Sequence, residues 1–157
     1  SFIEDIAQEK ILPFIGNGDL HHPLLVSDRL QKTQTDALMI ARGALRNPFI
    51  FLESLDPEYA QKKKSDFLGA DYWEVIQRLW QYVGETFGDD RMLLVQARKL
   101  IVWFAAGFPY SAAFRGQVFA AQTAEDTYRI TEDYFLSLGT SQKSINYDEA
   151  FMSSGHG

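Results

Sequence analysis

The stretch Ile11-Leu12-Pro13-Phe14-Ile15-Gly16-Asn17-Gly18-Asp19, answered further on by Ala37-Leu38-Met39-Ile40-Ala41-Arg42-Gly43, decides how the first part of this chain folds. Each is a short apolar run closed by glycine, the pattern of a strand buried in a parallel sheet. Between them, Pro23 to about Lys32 reads as a helix, with Leu24, Leu25 and Leu30 for its inner side. Strand, helix and strand in this space make a βα unit followed by a second, parallel strand. The sequence predicts strands over Ile11 to Ile15 and over Asp36 to Ala41, the second stopped by Arg42-Gly43. Upstream, Phe2, Ile3 and Ile6 among acidic residues read as the end of a helix.

Downstream of Asn47-Pro48 the character changes. Asp56-Pro57 to Gly69 is polar, carries Lys62-Lys63-Lys64, and reads as a solvated connection. Beyond it the apolar residues fall at three- and four-residue steps, which places them on helical faces. Tyr72, Val75, Ile76, Leu79, Val83 and Phe87 define a helix broken by Gly88-Asp89-Asp90. Leu93, Leu94, Ala97, Leu100, Ile101 and Phe104 define another, ended by Gly107 and Pro109. A third begins near Ser111 and carries Phe114, Val118 and Phe119. Thr123 with Asp126 three residues on resembles a capping box and starts a fourth, which Gly139 ends. Short joins between four helices predict a bundle. From about Thr140 the polar, glycine-containing tail is expected to be loose.

Bulk properties narrow the function classes. The chain has 157 residues, enough to bury a core as one domain or two small ones. It has no cysteine, which excludes a disulfide framework, a thiolate metal site and a cysteine nucleophile in this stretch. No apolar run reaches the roughly 18 residues of a membrane span. No secretion signal is visible at the start, so a cytoplasmic location is the default expectation. The net charge of −6 argues against nucleic acid as a partner, whose affinity comes mostly from Lys and Arg on phosphates. That balance is uneven, however. From Arg91 to Ala124 there is no Asp or Glu, while Arg91, Arg98, Lys99 and Arg115 all fall inside.

Two sets of residues carry candidate chemistry. Gly16-Asn17-Gly18-Asp19 and Ala41-Arg42-Gly43 sit at adjacent strand ends. In an eight-stranded α/β barrel the loops after the last two strands often form a phosphate site. Glycines let backbone N–H groups approach a phosphate, and an arginine neutralises it. Either motif alone reads more readily as an ordinary strand-to-helix turn, the commonest use of glycine; together, at adjacent strand ends, they favour phosphate. Trp73, Trp80, Trp103, Phe104, Tyr110 and Phe114 could stack bases, but their helical spacing favours core packing. His21-His22 does not make a metal site, since neighbours point apart and no third ligand accompanies them.

At this point a resemblance becomes specific. Ile11 to Leu20 resembles the IPVIGNGDI segment of tRNA-dihydrouridine synthases, and Asp36 to Phe51 resembles their DGVMIARGALGNPWIF. Arg98-Lys99-Leu100-Ile101-Val102-Trp103-Phe104, with Gly107, Pro109 and Arg115, resembles the RKH..WY..G.P....R of their helical tail. Arg46 stands where that family usually has glycine, Phe49 where it has tryptophan, and Thr35 where glycine often precedes the aspartate. Arg46 is expected to alter a loop near the strand end. The resemblance implies a fold of α/β plus all-α class, predominantly helical. Residues 1–55 would be the C-terminal part of an FMN-binding TIM (β/α)8 barrel, with about two of its strands. Residues 56–157 would be a helical tRNA-binding domain, a four-helix bundle.

The implied activity is reduction of uridine in tRNA to dihydrouridine, with NADPH as reductant through FMN. Asn17, Gly18, Asp19, Ala41, Arg42 and Gly43 would lie at the FMN phosphate. The family's catalytic cysteine belongs to earlier strands, so no catalytic residue is assigned here and the chain alone is expected to be inactive. Arg91, Arg98 and Lys99 share one side of the second helix at i, i+7 and i+8. With Arg115 they are expected to contact tRNA phosphates, the plainer alternative being a solvated face. No metal and no membrane are expected as partners. An exposed barrel edge is expected to invite the missing part of the barrel or self-association. Two other readings stay open: a non-catalytic RNA- or protein-binding helical module, and an FMN barrel oxidoreductase acting on a small molecule.

Overall fold

A computed structural model describes residues 12–62 and 66–148, which separate into two compact units. The first holds the described residues up to 62 together with those from Asn146; the second holds 66–145. The helix end read at Phe2 to Gln8, and Lys63-Lys64 of the basic linker, lie outside the described residues.

In the first unit, β1 (Ile15–Asn17) pairs in parallel with β2 (Ala37–Met39), and α1 (Pro23–Lys32) makes the crossover. The register sets Ile15 against Ala37, Gly16 against Leu38 and Asn17 against Met39. Both strands are shorter than the apolar runs that predicted them, and β1 takes in the glycine that was expected to end it. Asp36 closes the entrance to the pair: its backbone N–H donates to the Phe14 carbonyl (2.9 Å), and its Oδ2 accepts from the Phe14 N–H (2.7 Å). The helix starts where Pro23 can occupy the first turn, whose N–H has no intrahelical partner. His22 caps it, its Nδ1 accepting from the Leu24 N–H at 3.0 Å.

The inner side of α1 is only partly the one the leucines suggested. Pro23 and Val26 are buried, Leu24 and Leu25 are half-buried, and Leu30 is exposed. Val26 joins Leu20 and Ile50 in the core, with Leu25, Leu38, Ile40 and Ala44 packed against them. Arg42-Gly43, expected as a stop, instead opens the short helix α2 (Arg42–Arg46), which α3 (Ile50–Leu55) and α4 (Tyr59–Lys62) follow.

The last described residues return to this unit. Arg46 is 9% exposed and donates from Nη2 to the Asn146 carbonyl. Its guanidinium lies 5.5 Å from the centre of the Tyr147 ring, a cation–π contact. Asn47 is fully buried; its Nδ2 donates to Glu53 Oε2 (2.5 Å) and to the Tyr147 hydroxyl (3.3 Å). The Tyr147 ring also lies 4.2 Å from His22, centre to centre. Arg46 is therefore a buried anchor for residues a hundred positions away, rather than a modifier of an exposed loop.

The second unit is built from α5 (Gly69–Phe87), α6 (Asp90–Ala105), α7 (Ser111–Ala120) and α8 (Ala124–Ser137). Local signals set the helix ends. Asp71 accepts from the Leu68 N–H at 2.7 Å at the start of α5, and Gly88 ends it in the left-handed region at φ 60°. Asp89 caps α6, accepting from the Arg91 N–H. Thr123 caps α8: its Oγ1 accepts from the Asp126 N–H at 3.0 Å and donates to the Asp126 carboxylate at 2.8 Å. The helices meet over Tyr72, Ile76, Ala97, Ile101, Phe104, Phe114, Val118 and Phe135, all at most 6% exposed. Each of α6 and α8 packs against the other three. Thr127 and Thr131 are also fully buried on α8, and each hydroxyl donates to the carbonyl four residues back.

The tail expected to be loose from about 140 is held in place as far as it is described. Gln142 bridges antiparallel to Leu68, and Ser144 N–H donates to the Gly107 carbonyl at 2.9 Å. Lys143 is 7% exposed; its Nζ donates to the Phe104 carbonyl at 3.0 Å and lies 5.0 Å from the centre of the Tyr72 ring. A buried ammonium needs such partners, because desolvating it without them is prohibitive.

Candidate functional site

Two places gather the residues singled out from the sequence, one in each unit. In the first unit, Gly16, Asn17 and Gly18 line a small cavity of about 80 Å³ together with Leu20, Arg29 and Leu38. Gly16 sits in a tight space: a Cβ would stand 3.0 Å from the Leu38 side chain and 3.1 Å from that of Thr35, which would have to give way slightly. Around Gly18 there is open room, with no atom within 4 Å of the position a Cβ would take. The cation at this cavity is Arg29, a half-buried residue of the last turn of α1 that the sequence reading missed. Its signal was faint, because α1 was read for its leucines and not for the residue its last turn delivers to the glycines.

Asp19, Arg42 and Gly43 meet at a second junction beside it. Asp19 adopts a left-handed conformation (φ 44°), and its carboxylate accepts from Arg42 Nη2. The Asp19 carbonyl contacts Nδ1 of His21 at 2.6 Å. Arg42 thus links the two strand-end loops through an exposed ion pair, an interaction of small energetic weight. Gly43 is where the loops touch: a Cβ there would lie 2.2 Å from the Leu20 carbonyl oxygen and 3.0 Å from the His21 Cα. Ala41 precedes it as the residue before the first turn of α2. Replacing Gly43 with alanine is expected to destabilise the first unit by about 1–3 kcal/mol, the usual cost of forcing atoms into a filled space. Chemical denaturation checks this, and a loss under about 0.5 kcal/mol, the range of an ordinary surface change, would mean that the loops separate freely.

Burial depresses the His22 pKa below its ordinary 6.5, and the neighbouring His21 adds to this, against the attraction of Asp148. The imidazole is therefore kept neutral, which suits its role as the acceptor that caps α1. Tyr59 and Tyr147, hydrogen-bonded to each other, are both pushed up by burial. Among the described residues no cluster of three or more His, Asp or Glu suits a metal ion.

In the second unit, Lys99 and Arg115 come together. They line a groove of about 440 Å³ between α6 and α7 with Val102, Trp103, Ala106, Ser111, Ala112 and Phe119. Both cations are exposed, and the Arg115 guanidinium lies 5.8 Å from the centre of the Phe119 ring. Arg91 is exposed on the same helix, roughly 12 Å from Lys99 at 1.5 Å of rise per residue. Arg98 does not join them in the open: it is half-buried and donates from Nη2 to the Ala121 carbonyl at the end of α7. Its cation offsets the helix C-terminus there, a structural task that the i, i+7 spacing did not reveal.

The aromatic residues divide. Trp73 is buried and Trp80 half-buried, both edge-on to Tyr128; Phe114 stacks on Tyr134 at 4.0 Å. Burial raises the Tyr134 pKa to about 12, and its hydroxyl donates to the Pro109 carbonyl at 2.9 Å. Tyr110, by contrast, is 85% exposed and holds a left-handed backbone, φ 58°.

A parallel strand–helix–strand unit with glycines at both strand ends, joined in sequence to a helical unit, defines an α/β protein with an added helical part. The family model described as dihydrouridine synthase (Dus) matches residues 1–138, and the chain belongs to that family. Among curated relatives, tRNA-dihydrouridine synthase B of Xanthomonas campestris is 32% identical over 136 residues, covering 81% of this chain and 38% of the relative. A probable tRNA-dihydrouridine synthase of Rickettsia conorii is 28% identical over 117 residues, 74% of this chain and 35% of the relative. A tRNA-dihydrouridine(47) synthase [NAD(P)(+)] of Sclerotinia sclerotiorum is 33% identical over 103 residues, 65% of this chain and 13% of the relative. The chain thus spans well under half the length of these proteins. Among the described residues, no helix is long and apolar enough to cross a membrane.

Proposed function

We propose that this chain is part of an FMN- and NADPH-dependent enzyme that reduces uridine to 5,6-dihydrouridine in tRNA, and that it supplies cofactor-phosphate and tRNA contacts. The observation that carries the reading is the family match over residues 1–138 together with the glycine-lined cavity at the end of β1. The cavity suits an anionic group: two glycines, Asn17 and Arg29 line it beside Leu20 and Leu38, and glycine backbone and a cation are the usual partners of a phosphate. Asn17 and Gly18, with Arg29, would hold the FMN phosphate. Asp19, Ala41, Arg42 and Gly43 would keep the neighbouring loop in place, with Arg42 offsetting the Asp19 charge that would otherwise repel the phosphate. Bound FMN would supply the hydride chemistry. The carbon left after hydride addition needs a proton from an acid, and the chain has no cysteine to give it. By itself this polypeptide is therefore proposed to be inactive.

The sheet face bearing Ile15 and Met39 is 63% and 50% exposed at those residues, and Leu12, which precedes β1 in the chain, is 77% exposed. Those apolar groups suit packing against the rest of a barrel, or against a second copy in its absence. A cytoplasmic location belongs to the same proposal.

For RNA, Lys99 and Arg115 are the leading phosphate contacts, with Arg91 beyond them and Arg98 holding α7 in place. Changing Lys99 and Arg115 together to glutamate is expected to weaken binding to unmodified tRNA by about 10- to 100-fold near physiological salt. The slope of log affinity against log salt should become shallower by about 2, since each lost phosphate contact removes about 0.9. Titrations at two salt concentrations, with duplex DNA as competitor, check both numbers. Unchanged affinity and slope would return the groove to the status of a solvated surface.

A further inference from the structure

We propose that the groove between α6 and α7 receives a single unpaired ribonucleotide, its phosphate held by Lys99 and Arg115 and its base stacked on Phe119. The inference rests on the tRNA reading above and specifies what part of an RNA the groove takes. Charge comes first. The chain carries a net charge of −6, yet the groove lining contains two cations and no carboxylate. An anion is drawn to this place on an otherwise repelling molecule.

Shape and polarity then distinguish among anions. A bare phosphate, or the backbone of a duplex, has nothing to bury against Val102, Ala106, Ala112, Trp103 and Phe119, which also line the groove. A nucleotide whose base has left its stack offers both an anion and an apolar face of the right kind. The Phe119 ring remains 51% exposed, although the other aromatics at helix contacts here, Phe104 and Phe114, are at most 6% exposed. It sits one helical turn beyond Arg115, whose guanidinium covers part of the ring. Cation and ring are thereby held side by side, so one nucleotide can engage both. The Ser111 hydroxyl on the rim adds a group able to accept from or donate to a base edge or a ribose hydroxyl.

The test compares the chain with its Phe119→Ala and Phe119→Trp variants. Ligands are unmodified tRNA, a single-stranded oligouridylate, and an RNA duplex of the same length. The unaltered chain should bind the single strand more tightly than the duplex. Phe119→Ala should weaken the single strand and tRNA by about ten-fold, the usual size of one base–aromatic stack, while leaving the salt slope unchanged. Phe119→Trp should restore the affinity, which a merely structural role for the ring would not predict. Full single-strand affinity in Phe119→Ala, or a preference for the duplex, would overturn the proposal. If tRNA still binds with a steep salt dependence in that case, only this inference fails and the tRNA reading stands. If none of the three ligands binds at low salt, both fail.

Discussion

Truncating Phe135 to alanine is expected to cost the helical unit about 3–5 kcal/mol, as for other fully buried phenylalanines. Its side chain has no exposed surface, and its ring lies 5.1 Å from Tyr134, 5.9 Å from Phe114, 6.0 Å from Phe108 and 6.5 Å from Tyr72. Three of those contacts are edge-on, the geometry in which one ring's positive rim meets another's negative face. The Phe135 backbone is equally hemmed in, because a Cβ on Gly69 would stand 2.5 Å from its carbonyl oxygen. A void left by the ring therefore cannot close by moving α8 toward α5. Urea denaturation of the variant measures the loss, and a value under about 1.5 kcal/mol, the cost of a conservative swap, would mean that the remaining rings refill the space. Phe87→Ala makes the contrast. Phe87 lies on the apolar stripe read from the sequence but is 45% exposed, so its loss should fall near the roughly 0.5 kcal/mol of a surface change.

Gly107→Ala should be nearly as damaging, by about 2–4 kcal/mol, because a backbone term and a steric term add. Gly107 has φ 97°, a conformation that an L-residue with a Cβ rarely adopts, and the new Cβ would lie 2.1 Å from the Ser144 carbonyl oxygen. Relief of that clash would pull apart the hydrogen bond from Ser144 to Gly107, and with it the neighbouring buried contact of Lys143 with Phe104. Gly88→Ala separates the two terms. Gly88 is also left-handed, at φ 60°, but nothing lies within 4 Å of its would-be Cβ. Its substitution should cost only the backbone part, about 1 kcal/mol. Equal losses for the two alanines would show that the 142–145 segment is not firmly seated against the helices.

Several parts of the fold were legible because their causes are local. The helix over Pro23–Lys32 and the Thr123 cap with Asp126 follow from residues within one turn of each boundary. So do the left-handed stops at Gly88 and Gly139. The candidate cofactor cavity was half legible: the glycines announced themselves, but Arg29 reaches it from the far end of a helix.

What escaped the sequence shares one physical feature. Arg98 and Lys99 are neighbours of similar chemistry, yet one caps the end of α7 and the other lines an open groove. Tyr110 and Phe114 lie one turn apart, yet one is 85% exposed and the other 2%. Arg46 and Lys143 are long charged side chains that a sequence reading sends to solvent, but carbonyl oxygens 100 and 39 residues away hold them in the interior. By itself the sequence determined where the long helices run, that the two strands are parallel, and to which family the chain is similar; it misplaced the bounds of β1 and gave no sign of the short helices α2, α3 and α4. Backbone dihedrals, caps and apolar periodicity settle those matters over a few residues. Only the tertiary structure decided which cations face solvent, which aromatics are core, and that the described residues from Ser141 to Asp148 make contacts with the units beside them. Each of these depends on which partners arrive from distant positions, and on whether the desolvation cost of a charge is offset once they do.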